Sequence, residues 1–183
     1  KKKDCFIRYT SILGNTKSIV CNKVNCLFED SKGLLWIGTK VGLSKLISSN
    51  DNTAPPIFEN YVMANGLPAE YIAAITEDEK GNLWLGTPRK GVLKVDFRGN
   101  GTMTHPDVFC YHSTHGMPPG EVNVFWAAGH VMFATKEGIF RFNEKKKIFI
   151  PISYPGGSNS GWPSPVHWLW NPKSCFLTNP HQL

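Results

Sequence analysis

A phrase that recurs along the chain constrains its fold more than any other feature. Phe28-Glu29-Asp30-Ser31-Lys32-Gly33-Leu34-Leu35-Trp36-Ile37-Gly38-Thr39 returns as Ile75-Thr76-Glu77-Asp78-Glu79-Lys80-Gly81-Asn82-Leu83-Trp84-Leu85-Gly86-Thr87. A worn third copy, Phe125-Trp126-Ala127-Ala128-Gly129-His130-Val131-Met132-Phe133-Ala134-Thr135, keeps the register, because Gly33, Gly81 and Gly129 fall at equal intervals. A period this long means one supersecondary unit used repeatedly.

Within the phrase, an Asp that can bond the backbone ahead of it and a Gly that accepts positive φ enclose a turn between two short apolar runs. This predicts an antiparallel hairpin. The third copy lacks the Asp and is two residues shorter, so a tighter turn is expected there. A third strand with period-two alternation follows at Gly42-Leu43-Ser44-Lys45-Leu46, Gly91-Val92-Leu93-Lys94-Val95-Asp96 and Gly138-Ile139-Phe140-Arg141-Phe142. A fourth follows at Ile57 to Tyr61 and Val108 to His112, with the repeated turns Asn65-Gly66-Leu67-Pro68 and His115-Gly116-Met117-Pro118 after it. Phe6-Ile7-Arg8-Tyr9 with Gly14 repeats that spacing, so the chain opens on the last strand of an earlier unit.

Four short antiparallel strands per unit of this length describe the blade of a β-propeller. The fold class is therefore all-β: a propeller segment of about three complete blades with partial flanking blades. The expected divisions are 1–23 (last strand of a preceding blade and connection), 24–71, 72–121 and 122–160 (blades, the last degenerate), and 161–183 (a partial blade or irregular tail). No stretch holds a helical apolar period over three turns, and the 17 Gly and 13 Pro interrupt the chain too often for helices. Gly38, Gly86 and Ala134 are expected to be small because neighbouring backbone approaches them.

The pattern Glu-Asp-x-x-Gly-x-Leu-Trp-Ile/Leu-Gly-Thr, followed by Gly-Leu or Gly-Val-Leu, an aromatic strand and Asn-Gly-Leu-Pro, resembles the two-component regulator propeller repeat of bacterial hybrid histidine kinases. The resemblance is strong over 24–66 and 72–116 and partial over 122–156, where Met132-Phe133 replaces Trp-Leu. It implies a periplasmic, ligand-sensing segment that contributes to signal transduction. In such proteins two seven-bladed propellers precede an immunoglobulin-like domain, a membrane helix and a cytoplasmic kinase. It also implies a carbohydrate ligand, and as partners the remaining blades and a downstream signalling domain. Any kinase activity would belong to a domain absent from this chain, and no cofactor is expected.

Two other classes compete: a propeller scaffold for protein contacts, and a propeller lyase. The chain has no Gly-x-Ser-x-Gly elbow, no His-Glu-x-x-His and no paired carboxylates outside the turn motif. The net charge of +6 and pI near 9.1 come from scattered basic residues without an interleaved aromatic groove, which argues against nucleic acid. Cys5, Cys21, Cys26, Cys110 and Cys175 form an odd set with no Cys-x-x-Cys pair, and only Cys21 and Cys26 are close enough in sequence to invite a bridge. His105, Asp107, Cys110, His112 and His115 are metal-ligand types near one outer strand, where polar side chains are also commonplace; no metal site is expected.

Strand direction places the candidate site. In a four-stranded meander, the loop between the second and third strands emerges beside the connection to the next blade. Lys40, Arg89, Lys90, Lys136 and Glu137 therefore share a face with Asn65, Glu70, Tyr71, His115 and Glu121. Of these, Lys40, Arg89, Lys90, Lys136, Tyr71 and His115 are the expected ligand contacts. Trp36 and Trp84, placed alike in successive units, are expected to fill the space between blades, with Gly33, Gly81 and Gly129 as turn residues. A partial ring leaves blade faces uncovered, so self-association is a further expectation.

Overall fold

The computed structural model describes residues 8–47, 56–68, 71–97 and 106–152. All but Ile152 lie in a compact unit that ends at Pro151. The segment 161–183, together with Cys5, Phe6, Ile7, Glu70, His105 and Cys175, falls outside the described residues.

Among the described residues, twelve strands form three antiparallel meanders. The first sheet is β1 (Val24–Glu29), β2 (Leu35–Thr39), β3 (Leu43–Ile47) and β4 (Ile57–Tyr61). The second is β5 (Ala74–Glu77), β6 (Leu83–Gly86), β7 (Val92–Asp96) and β8 (Asp107–Tyr111). The third is β9 (Asn123–Ala127), β10 (His130–Thr135), β11 (Gly138–Asn143) and β12 (Ile148–Pro151). Their first strands are neighbours, β1 beside β5 and β5 beside β9. The sheets are propeller blades, and their first strands stand side by side along one edge of the stack. Among the described residues no helix is long and apolar enough to cross a membrane.

Alternation along the second strands explains how the blades stack. In β6, Leu83 and Leu85 join Trp36, Leu43 and Tyr61 of the first blade in one buried cluster. Trp84, on the opposite face, joins Val124, Phe133 and Phe149 of the third blade in another. β6 is thus apolar on both faces because both faces are covered. Trp36 and Trp84 are 3% and 1% exposed, so each indole fills the space toward the following blade.

Close approach fixes the two glycines after these tryptophans. A Cβ on Gly86 would overlap the Val122 carbonyl, and one on Gly38 would overlap the Cys26 thiol and press on Ile72. The hairpin turns are of two kinds. Asp30 and Asp78 open turns in which Gly33 and Gly81 both take φ +76°. In the third blade Ala128 and Gly129 both have positive φ, 51° and 74°, as a two-residue type I′ turn requires. The shorter third phrase therefore makes the tighter turn.

Ahead of the first blade, Arg8 and Tyr9 carry no strand. Residues 9–20 instead lie against the first blade on the side away from the second. Ile19 is buried with Ile37 and Phe58, and the Tyr9 ring meets Phe58 edge-on. Cys21 and Cys26 are free thiols. Burial pushes the Cys26 thiol up to about 11, against the pull of a hydrogen bond with the Gly38 backbone.

Candidate functional site

The threonine repeated at the end of each second strand builds the loops of the expected site. Thr39 Oγ1 donates to the Gly42 carbonyl (2.9 Å) and accepts from the Val41 and Gly42 amides, both at 3.1 Å. Thr87 Oγ1 donates to the Gly91 carbonyl (2.9 Å) and accepts from the Lys90 amide (2.9 Å). Thr135 repeats the pattern with Gly138 (3.3 Å) and the Glu137 amide (3.1 Å). One hydroxyl per blade satisfies the tight loop, so the variable residues between can point into solvent.

Lys40, Arg89, Lys90 and Lys136 are all exposed. None has an ion-pair partner among the described residues. The connections to the next blade lie beside them. Gly91 packs against the carbonyl of Tyr111, Gly42 against that of Tyr61, and the Ile72 amide donates to Thr39 O (3.0 Å). Tyr71, adjacent to that bond, is 37% exposed. The structure therefore gathers the four cations and Tyr71 at one end of the blades.

His115, in the turn after β8, is occupied there. Its Nδ1 accepts from the His112 amide (3.3 Å), as Asn65 Oδ1 accepts from the Val62 amide (2.6 Å) at the matching turn. Its ring also meets Tyr111 edge-on. Among the described residues no three His, Cys, Asp or Glu side chains gather in a metal-binding set.

The opposite end carries an arrangement that sequence reading missed. Trp36 Nε1 donates to Asp30 Oδ2 (2.8 Å), and Trp84 Nε1 donates to Asp78 Oδ2 (2.9 Å). Across the ladder from each indole is a buried lysine, Lys45 beside Trp36 and Lys94 beside Trp84, with Nζ 5.6 and 5.1 Å from the rings. Lys45 pairs with Glu59 (2.8 Å), and Lys94 with Glu144 of the third blade (3.1 Å) and Asp78 (3.6 Å). Burial would raise the Asp78 carboxyl. Hydrogen bonds from Asn82 and Trp84, and then the Lys94 charge, outweigh it and hold the group below its ordinary value. The signal was in the repeat, since Lys45, Lys94 and Arg141 each stand three residues after the glycine that opens the third strand.

Two recesses adjoin this second arrangement. A cleft of about 270 Å³ between the second and third blades is lined by Glu79, Lys80, Trp84, Trp126 and His130, among others. A wider one, about 640 Å³, runs past Lys94, Phe109, Tyr111, His115 and Lys147. Of the six expected ligand contacts, only His115 lines either.

The two-component regulator propeller family matches the chain at residues 18–40 and 66–89, which contain β1 with β2 and β5 with β6. Within those two stretches the chain carries two-component regulator propeller repeats. No curated protein sequence matches it. Among solved structures it is similar to the extracellular domain of a protein named as a hybrid two component system from B. thetaiotaomicron, with 24% identity and a TM-score of 0.49. That match covers 61% of this chain and 14% of the other. It is also similar to the extracellular domain of one named as a one component system from the same organism, with 16% identity, a TM-score of 0.36, and 74% and 24% of the two chains covered. The chain thus spans under a quarter of the length of these structures. The matched repeats coincide with the two blades that hold the Asp–Trp bond.

Proposed function

We propose that this propeller segment is the ligand-sensing part of an extracytoplasmic two-component regulator, and that it binds an oligosaccharide on the face of the Thr-anchored loops. Its binding state would pass to a signalling domain elsewhere in the protein. The observation that carries the reading is the set of cations Lys40, Arg89, Lys90 and Lys136, without ion-pair partners among the described residues and set on loops whose backbone the threonines hold. Ammonium and guanidinium groups donate to hydroxyls and carboxylates, and Tyr71 beside them offers a ring for a sugar face. Loops that vary on blades that do not are where recognition is built. The family name, two component regulator propeller, supports the signalling context.

Calorimetric titration with a panel of neutral and acidic oligosaccharides tests this, comparing the parent chain with an Arg89→Ala, Tyr71→Ala double variant. Binding that weakens at least tenfold in the variant supports the site. Binding indifferent to both changes removes it.

A further inference from the structure

We propose that the cleft between the second and third blades, at the end opposite the Thr-anchored loops, is a second binding site, for a small carboxylate carried on a flat ring. The junction between the first and second blades shows the reason. There the Ser31 amide donates to Glu77 Oε2 (2.7 Å) and the Ser31 hydroxyl to Glu77 Oε1 (3.1 Å). A carboxylate from one blade thus sits on the hairpin turn of the blade before it.

The hairpin of the second blade is the same turn, bond for bond. Asp78 Oδ1 accepts from the Lys80 amide (3.0 Å) and the Asn82 amide (2.9 Å), as Asp30 Oδ1 accepts from the Lys32 and Leu34 amides, both at 2.9 Å. Glu79 therefore stands where Ser31 stands, and its amide is presented in the same way. The acceptor is missing. In β5 the carboxylate comes from Glu77, which pairs with Leu83; in β9 the residue at that ladder position, pairing with Val131, is Trp126. The Glu79 amide has no partner among the described residues, and it borders the cleft.

The surroundings suit a carboxylate on a ring. Trp126 is 39% exposed and offers an indole face where the missing acid would start. Lys80 and His130 line the same cleft, and neither side chain has an ion-pair partner within salt-bridge distance among the described residues, although the Lys80 charge also acts on Glu144 from farther off. Two of the acids nearby are already compensated: Asp78 by the Trp84 and Asn82 hydrogen bonds, and Glu144 by Lys94 (3.1 Å) and Lys147 (3.4 Å). Glu79, exposed at the rim, has no ion-pair partner among the described residues. The cleft lies outside the loop face proposed above, so the two sites stand or fall separately.

Calorimetry on the whole chain with phenylacetate and galacturonate as probes, and with phenylacetamide and galactose as their uncharged counterparts, tests the assignment. Saturable binding of the acids, at least tenfold tighter than that of the counterparts, is expected. Glu79→Pro removes the amide donor at a turn position that proline favours, and should weaken binding at least tenfold without lowering the melting temperature. Glu79→Gln keeps the amide and removes the rim charge, so binding should hold or tighten. If Glu79→Pro disturbs the fold, Lys80→Ala replaces it, with a several-fold loss expected. Absence of saturable binding into the millimolar range overturns the proposal. So does acid binding that ignores Glu79→Pro, or Lys80→Ala where that replaces it, or that the uncharged counterparts match.

Discussion

At the scale of single residues, the repeat conserves a bonded set of groups within this chain. Asp30 and Asp78 each satisfy two turn amides with one oxygen and an indole N–H with the other. The third blade lacks the Asp and has Met132 in place of the Trp, so both ends of that bond are missing together. Trp84→Ala should cost about 3–5 kcal/mol, the range for emptying a large aromatic site, as read from denaturant melts. The acid behaviour of Asp78 follows from its environment. Its folded pKa is depressed, so its contribution to stability is present above the unfolded value near ~3.9 and is lost as pH falls through the folded one. Asp78→Asn should therefore flatten the acid limb of a plot of stability against pH, and a variant whose stability falls as steeply as the parent's between pH 5 and 2 would contradict this.

At the scale of strands and turns, most of the architecture was legible because alternation and turn chemistry are local. The strands of the first two blades, the first three of the third, the two Asp–Gly turns and the tighter third turn could be read from residue order, whereas β12 was not. What could not be read were pairings across the ladder and between blades. Lys45 and Lys94 look like ordinary outward residues of an alternating strand until the next blade covers that face. His115 looked like a free ring because its bond to the His112 amide depends on turn geometry. Similar-looking positions should consequently respond in opposite ways. Gly81→Ala, strained at positive φ, should cost about 1 kcal/mol, while Gly86→Ala should cost more because the new methyl meets the Val122 carbonyl. Ala128→Asn should instead stabilise by roughly 0.5–1 kcal/mol, since Asn tolerates the left-handed conformation that Ala128 holds at φ 51°. Thermal melts of the three variants check the order.

At the scale of the whole molecule, stacking sets what the first blade requires on its far side. A partial ring is expected to bare a blade face at each end, yet residues 9–20 supply a cover on one of them. The Phe58 amide on outer strand β4 donates to the Lys17 carbonyl (2.9 Å), and Asn60 Nδ2 donates to the carbonyls of Thr16 (2.9 Å) and Ser18 (2.8 Å). The Val20 amide donates to Ser44 Oγ (3.1 Å), whose own proton goes to Asn60 Oδ1 (2.6 Å). The Phe58 bond occupies one amide of an edge strand that would otherwise be offered to another chain, the Asn60 side chain ties the segment beside it, and Ile19 seals Ile37 and Phe58 beneath. Deleting residues 1–20 should therefore uncover both an edge and an apolar face, and raise light scattering at micromolar concentration above that of the parent. Ile19→Asp, which keeps the segment but opposes its burial, should shift scattering in the same direction by a smaller amount. A truncated chain that melts cooperatively and scatters as the parent does would show that the cover has no part in keeping copies apart.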